Sequence, residues 1–206
     1  MAKNKVIKSF LIKPTSNQLK HYVMKKFRFE NGYHFSATEV YCGDQIWLAD
    51  CLFLNGKSAV EVEIKVSMSD LKNDFKKKEI KHNILNKKIK GNLDFIPNKL
   101  YFAVPEKIIK KAYQFLKDTP YGLICIPKAH NFNDYFHWIK ESEKFNEIYP
   151  KGLEKLVISR MSSEIINLRQ KVLNLQNELS NECDYYSFSQ IKVDKDKGIS
   201  YNWIKE

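Results

Sequence analysis

Two carboxylates and a lysine follow one another in a pattern that could serve phosphodiester chemistry. Asp50 lies within the apolar segment QIWLADCLFL, and Glu63 and Lys65 lie two residues apart in VEVEIKVS. Two carboxylates and a backbone carbonyl, that of Ile64, are oxygen ligands of the kind that Mg²⁺ prefers. Such an ion lowers the pKa of a bound water and neutralises charge on a phosphate, and a neighbouring lysine can orient that water. The pattern therefore indicates hydrolysis of phosphodiesters.

Each of these residues also has a simpler interpretation. Asp50 alone could pair with a lysine in the core, because a buried carboxylate without a partner is costly. Glu63 and Lys65 alone could belong to the solvent-facing side of an amphipathic strand. The turn signal Asn55-Gly56 favours the joint interpretation, because it makes the two segments neighbouring strands of a hairpin. Asp50, Glu63 and Lys65 are then expected side by side.

The segments around these residues predict a mixed α/β fold. Apolar residues at helical spacing follow a cap at Ser16 and predict a first helix, which ends near Asn31-Gly32. Three β-rich segments follow and predict an antiparallel meander at 33–41, 45–54 and 58–67.

The second half of the predicted domain begins with a strongly basic helix at 68–90, capped by Ser69. A strand at 99–104, a helix at 106–118 and a strand at 123–126 then predict a crossover between parallel strands. We therefore expect a mixed central sheet of about five strands with flanking helices.

The charge of the chain predicts an anionic partner. The formal net charge is +11, and the excess of basic residues lies in residues 1–152, whereas residues 153–206 carry equal numbers of basic and acidic side chains. A basic surface of this kind suits a nucleic acid, although lysines can also simply solvate a surface. The candidates for DNA contact, on or beside the basic helix, are Lys72, Lys76, Lys77, Lys78, Lys81 and His82.

A heptad pattern near the C-terminus predicts a coiled-coil helix. Ile158, Ile165, Val172 and Leu179 occupy the a positions, and the d positions are Met161, Leu168 and Leu175. This distribution favours a parallel pair of helices, and we expect a homodimer through residues 158–179. The alternative is a long helix that packs on its own domain.

Domain boundaries and location follow from composition. We expect an α/β domain at 1–130, an aromatic-rich connector at 131–152, the coiled-coil helix at 153–180 and a polar tail at 181–206. The four cysteines form no metal-binding or disulfide pattern, and no apolar run is long enough to cross a membrane. The chain is therefore expected in the cytoplasm, as a nucleoid-associated or phage-encoded protein.

The arrangement Asp50–x12–Glu63–x–Lys65 resembles the PD-(D/E)XK nuclease superfamily, which has the restriction-endonuclease-like fold. More narrowly, TEVYCGDQIWLADCLFLNGKSAVEVEIKVSMSDLKNDFKKK, followed by KLYFAVPEKI and YGLICI, is similar to the MmcB-like group of DNA-repair nucleases and to related phage nucleases. The resemblance covers roughly residues 33–126. Two positions differ from the pattern: Ala49 stands where relatives have proline, and His82 where MmcB-like members have tryptophan.

The resemblance implies a role for each matching residue. Asp50 and Glu63 would bind Mg²⁺ or Mn²⁺ and Lys65 would be the catalytic lysine, with Glu39 as a further candidate ligand. Asp70 and Asp74 resemble acidic positions of the helix that follows the third strand. The expected function is a metal-dependent deoxyribonuclease, in the form of an endonuclease, that acts in DNA repair or recombination or in phage DNA processing. The alternative is a non-catalytic nucleic-acid-binding protein on the same scaffold.

Overall fold

The structure, a computed structural model, describes residues 15–127, 136–183, 188–194 and 198–203. Two compact units divide the chain, the first ending at Met161 and the second beginning at Ser162. Parts of the predicted connector and of the predicted tail, as well as the first fourteen residues, lie outside the described residues.

The first unit is built on a six-stranded mixed sheet in which the strands follow chain order. The first three strands form the predicted antiparallel meander, the fourth and fifth run parallel to the third, and the sixth is antiparallel at the edge. The mixed α/β class is thereby confirmed, with one strand more than expected. The strands are β1 (Phe35–Cys42), β2 (Trp47–Leu54), β3 (Ala59–Ile64), β4 (Lys99–Pro105), β5 (Gly122–Ile126) and β6 (His137–Lys140).

Helices cover both faces of this sheet. The helices are α1 (Ser16–Glu30), α2 (Met68–Lys77), α3 (Glu79–Leu85), α4 (Ile109–Leu116) and α5 (Lys151–Cys183). The apolar residues of α1 pack in one core cluster, and those of α2, α3, α4 and the start of α5 pack in the other. The cap of α1 is Thr15 rather than Ser16, because Thr15 and Gln18 form a reciprocal capping box.

The third strand is buried on both faces. All six residues of β3 are buried, including Glu61 and Glu63, which have no exposed surface. Its sequence alternates between apolar and charged residues, which is typical of a strand with one face in solvent. In this fold the charged face is instead covered by α2 and α3, so the carboxylates of β3 must find partners inside the protein.

The predicted basic helix is interrupted. In place of one helix at 68–90, the chain forms two short helices, α2 and α3, which end at Leu85 and are separated at Lys78, whose backbone leaves helical geometry (φ −111°, ψ 37°). The break redirects α3 so that Lys81, His82, Ile84 and Leu85 are buried. The cap of α2 is Ser67, which accepts a hydrogen bond from the Asp70 N–H, and Ser69 is not the cap.

The second unit consists of the remainder of α5 and a two-stranded antiparallel sheet. This sheet pairs β7 (Phe188–Asp194) with β8 (Gly198–Trp203), which the sequence did not predict. Helix α5 begins two residues before the predicted boundary and extends to Cys183. Within the described parts of the chain, every helix is too short or too polar to cross a membrane.

Candidate active site

The hairpin of β2 and β3 brings Asp50, Glu63 and Lys65 together. Pairing of the two strands ends at Cys51 and Val62, and Asp50 and Glu63 are the next residues on each strand. The Ile64 N–H donates a hydrogen bond to Asp50 Oδ2 at 2.9 Å. Lys65 Nζ lies 2.8 Å from Glu63 Oε2 and 3.9 Å from Asp50 Oδ2. The three side chains therefore meet at one place, while their chemical roles stay predictions.

Glu63 is held by three lysines. Its Oε1 lies 2.5 Å from Lys78 Nζ and 2.6 Å from Lys81 Nζ, and its Oε2 binds Lys65. Burial alone would raise the pKa of this carboxyl, but the positive charges of Lys81, Lys65 and Lys78 outweigh burial and hold the pKa well below its usual range. Glu63 is therefore ionised at neutral pH.

Two further buried carboxylates extend the cluster. Asp74 on α2 forms an ion pair with Lys65, at 2.7 Å from Nζ, and its other oxygen lies 3.4 Å from His82 Nε2. Glu61 binds Lys81 at 2.9 Å and accepts a hydrogen bond from Trp47 Nε1 at 3.1 Å. Sequence reasoning missed Glu61, although the alternation of β3 places it on the same face as Glu63.

Burial affects these carboxyl groups differently. For Asp74, burial opposes ionisation, but the polar contact with His82 and the charge of Lys81 lower the pKa below its usual range. For Glu61, burial raises the pKa to about 7, against the charge of Lys81 and reinforced by the charge of Glu63. Neighbouring carboxylates thus compete for the same lysine, and Glu61 is the one that keeps its proton longest as the pH rises.

The other side of the cluster opens toward solvent. The Asp50 side chain is 24% exposed, and its Oδ1 lies 3.1 Å from Lys20 Nζ on α1. Lys20 also lies 3.5 Å from Glu39 Oε1, and Glu39 binds Arg160 of α5 at 3.2 Å. Lys20 therefore links the two carboxylates. Sequence reasoning missed Lys20, which lies three residues before the buried Val23 on α1.

Glu39 itself adopts a left-handed backbone conformation with φ +54°. It lies between the pairs Thr38–Cys51 and Val40–Ala49, so the register of β1 and β2 places it opposite Asp50. A non-glycine residue in this region costs about 1–3 kcal/mol, which the surrounding strand pairing must offset. Glu39 therefore reaches the site through Lys20, and its role as a direct metal ligand stays a prediction.

The donor set suits a hydrated Mg²⁺ ion better than a closed metal cage. Among the described residues, no group of three or more His, Cys, Asp or Glu side chains is arranged to hold a metal. Two carboxylates are enough for Mg²⁺, which keeps several waters. Burial and then the charge of Glu63 raise the pKa of Asp50, and a cation bound beside this carboxylate would favour its ionised form. Because both oxygens of Glu63 already bind lysines, the ion would displace an ammonium group.

The predicted DNA-contact residues fall into two groups. Lys72, Lys76 and Lys77 are exposed on α2. Lys81 is fully buried, and His82 is buried with Nδ1 2.8 Å from the Tyr121 hydroxyl. The prediction of phosphate contact is wrong for Lys81 and His82, because the break at Lys78 turns α3 inward.

Lys78 itself lies at the boundary between these groups. Its side chain is 25% exposed, and Nζ binds both Glu63 and the Leu48 carbonyl oxygen, the latter at 2.9 Å. Asp70, another acidic position suggested by the resemblance, accepts a hydrogen bond from the Val66 N–H at 3.2 Å and supports the start of α2.

Comparison with known proteins bears on the fold alone. No family model matches the chain, and no curated protein matches it. A solved structure that is similar, the SPO1766 protein of unknown function from Silicibacter pomeroyi, is 14% identical, with a TM-score of 0.52. The match covers 80% of this chain and 96% of that one.

Proposed function

We propose that the chain is a metal-dependent deoxyribonuclease, an endonuclease that hydrolyses DNA phosphodiesters in repair, recombination or phage DNA processing. The observation that carries the proposal is the meeting of Asp50, Glu63 and Lys65 at the partly open edge of one hairpin, with Lys65 Nζ 2.8 Å from Glu63 and 3.9 Å from Asp50. We also propose a restriction-endonuclease-like core for this unit, and the order of α1, the meander, α2–α3 and β4 supports that proposal.

Asp50 and Glu63, with the Ile64 carbonyl, would hold Mg²⁺ or Mn²⁺ in this proposal. An ion held there would supply an activated water and would neutralise charge on the phosphate. Lys65 contributes a fixed positive charge, which orients the attacking water and stabilises the charge that develops on the phosphate oxygens. Asp74 holds Lys65 from the other side, at 2.7 Å, and thereby fixes the position of the ammonium group.

Cleavage of plasmid and branched DNA in the presence of Mg²⁺ tests the proposal. Asp50→Asn and Lys65→Ala should each lower the cleavage rate by about 100-fold or more, because the first removes a ligand of the proposed ion and the second removes a positive charge that acts on the reacting phosphate. Asp118→Asn is the matched control, since Asp118 lies in the turn after α4 and its side chain is 86% exposed. Thermal melts show whether each variant is folded. Equal rates for the wild type, Asp50→Asn and Lys65→Ala would refute the enzyme proposal.

A non-catalytic nucleic-acid-binding protein is the second candidate. It is favoured by the three ammonium groups on Glu63, which balance its charge without a metal ion. Calorimetric titration with Mn²⁺ separates the candidates. The nuclease should bind the ion, and Asp50→Asn should weaken that binding. If the chain is instead a non-catalytic nucleic-acid-binding protein, it should bind no Mn²⁺ but should bind DNA with a strong salt dependence.

We also propose that α5 pairs with a second copy of this chain. Its a and d side chains Ile165, Leu168, Val172 and Leu175 are all more than half exposed, and Glu164 and Arg169 would lie at charge-complementary g and e positions in a parallel pair. Met161 packs against the core of the first unit, so the paired region begins after it. Leu168→Lys should yield a monomer in analytical ultracentrifugation, whereas Leu93→Lys, at an exposed leucine that occupies none of the heptad positions, should not. A monomeric wild type would contradict this.

A further inference from the structure

A groove next to the candidate site combines lysines with exposed apolar side chains. It has a volume of about 450 Å³ and lies between the start of β2 and the junction of α2 with α3. Ile46, in the turn before β2, and Leu48 on β2 line one side, and Lys76, Lys77 and Ile80 line it from the helices. The sequence did not suggest this site, because the two segments are about thirty residues apart.

The groove leads directly to the carboxylate cluster. Lys78 bridges the two sides of the groove, because its Nζ donates a hydrogen bond to the Leu48 carbonyl oxygen at 2.9 Å. The same ammonium group lies 2.5 Å from Glu63 Oε1. A molecule lying in the groove would therefore contact the residue that joins it to Glu63.

The exposed groups in the groove match an unpaired nucleic-acid strand. The ammonium groups of Lys76 and Lys77 suit phosphates. Glu79 also lines the groove, but the lysines among the lining residues outnumber it, so the groove is basic. Ile46, Leu48 and Ile80 are 49%, 38% and 56% exposed. In an intact duplex the faces of the bases are covered by stacking, so aliphatic side chains can contact them only where bases are unstacked.

We propose that this groove binds a single-stranded or locally unpaired segment of DNA, with phosphates on Lys76 and Lys77 and a base against Ile46, Leu48 and Ile80. The proposal rests on the proposed nuclease function only for the consequence of binding, which is to deliver the strand to Asp50 and Glu63. Binding itself requires neither a metal ion nor cleavage.

Fluorescence anisotropy in EDTA, with a labelled single-stranded oligonucleotide and the duplex of the same sequence, tests the groove. Ile46→Asn/Ile80→Asn should weaken binding of the single strand at least about fivefold and leave the duplex unchanged, because only unstacked bases reach these side chains. The matched apolar control is Ile148→Asn, at a residue that is 59% exposed elsewhere on the first unit.

The lysines are tested by the salt dependence of the same binding. Lys76→Gln/Lys77→Gln should lower the slope of log K against log salt by about 1.4 for the single strand, about 0.7 per phosphate contact. The control is Lys110→Gln/Lys111→Gln, which removes the same charge from exposed positions on α4. Groove variants that bind single strands as the wild type does, or an apolar variant that loses single strand and duplex equally, would overturn the proposal.

The two proposals fail in different ways. If the wild type binds single strands through the groove but does not cleave DNA with Mg²⁺, the nuclease proposal is wrong and the groove stands. If the wild type cleaves and Asp50→Asn does not, while the groove variants bind normally, the groove proposal is wrong and the nuclease stands.

Discussion

The two sides of the α2–α3 segment carry lysines in opposite environments. On the inner side, Lys81 has no exposed surface and binds Glu61 and Glu63. On the outer side, Lys76 and Lys77 are exposed and line a groove. Because the inner lysines neutralise buried carboxylates, they determine stability and the form of the candidate site, whereas the outer ones are available to a polyanion. The same residue type thus occurs in two environments, and burial distinguishes them.

Removal of an inner lysine should have the largest effect. Lys81→Met leaves Glu61 and Glu63 buried with one partner fewer, and we expect a loss of about 3–5 kcal/mol in the free energy of unfolding. Lys76→Met, on the outer side of the same segment, is the control and should change it by less than about 0.5 kcal/mol. Urea denaturation measures both. A loss below about 1 kcal/mol in Lys81→Met would mean that the inner lysines do not stabilise the fold.

The pH dependence of stability should reveal competition within the inner cluster. The folded-state pKa of Glu61 is about 7, above the unfolded value near 4.3. Between these two pH values Glu61 is protonated in the folded protein and ionised in the unfolded chain. Stability from this group is therefore present below pH 4.3 and lost as the pH rises through 7. Relative to Glu61→Gln, the wild type should lose on the order of 2 kcal/mol between pH 5 and pH 8.

Comparison with Glu61→Gln removes the contributions of other titrating groups. Burial lowers the pKa of His82, which opposes the trend, and burial raises the pKa of Asp50, which adds to it. Glu63 and Asp74 lose their contributions only in acid, because their pKa values are lowered. The measurement is made in EDTA. Parallel pH profiles for the two proteins would show that Glu61 does not titrate in this range.

Local signals in the sequence were enough for much of this arrangement. The turn at Asn55-Gly56 and the alternation of β3 predicted the hairpin, and therefore the meeting of Asp50 and Glu63. The helical spacing of α1 predicted its buried residues, including Leu19 and Phe27. The parallel pairing of β4 with β5 followed from the strand–helix–strand order.

The features that were missed depend on long-range packing. A run of lysines predicts a solvated helix, and no local signal indicates that Lys78 interrupts it to reach Glu63 and Leu48. Burial of Lys81 requires carboxylates from a strand about twenty residues earlier in the chain. The groove at Ile46 requires the same tertiary contact. Sequence periodicity reports which residues share a face of an element, but not what covers that face.

The hydrogen bond from Trp47 to Glu61 should have a smaller effect. Trp47→Phe removes the donor from Glu61 Oε2, and we expect a coupling energy of about 1 kcal/mol with Glu61→Gln. The double-mutant cycle separates this coupling from the packing change that the smaller ring also causes. Urea denaturation of the four proteins provides it. Additive effects of the two substitutions would show that Trp47 contributes packing alone.

Neutralisation of the outer lysines should have the smallest effect, and its sign distinguishes the two sides. Lys72→Gln/Lys76→Gln/Lys77→Gln removes three exposed positive charges from a chain of net charge +11, so self-repulsion falls and stability should rise by a few tenths of a kcal/mol at low salt. At about 1 M salt the Debye length is about 3 Å, and the gain should vanish. The loss in Lys81→Met should persist at high salt, because buried pairs are poorly screened. If salt removed both effects equally, the inner cluster would be as solvated as the outer face, and the distinction between the two sides would be wrong.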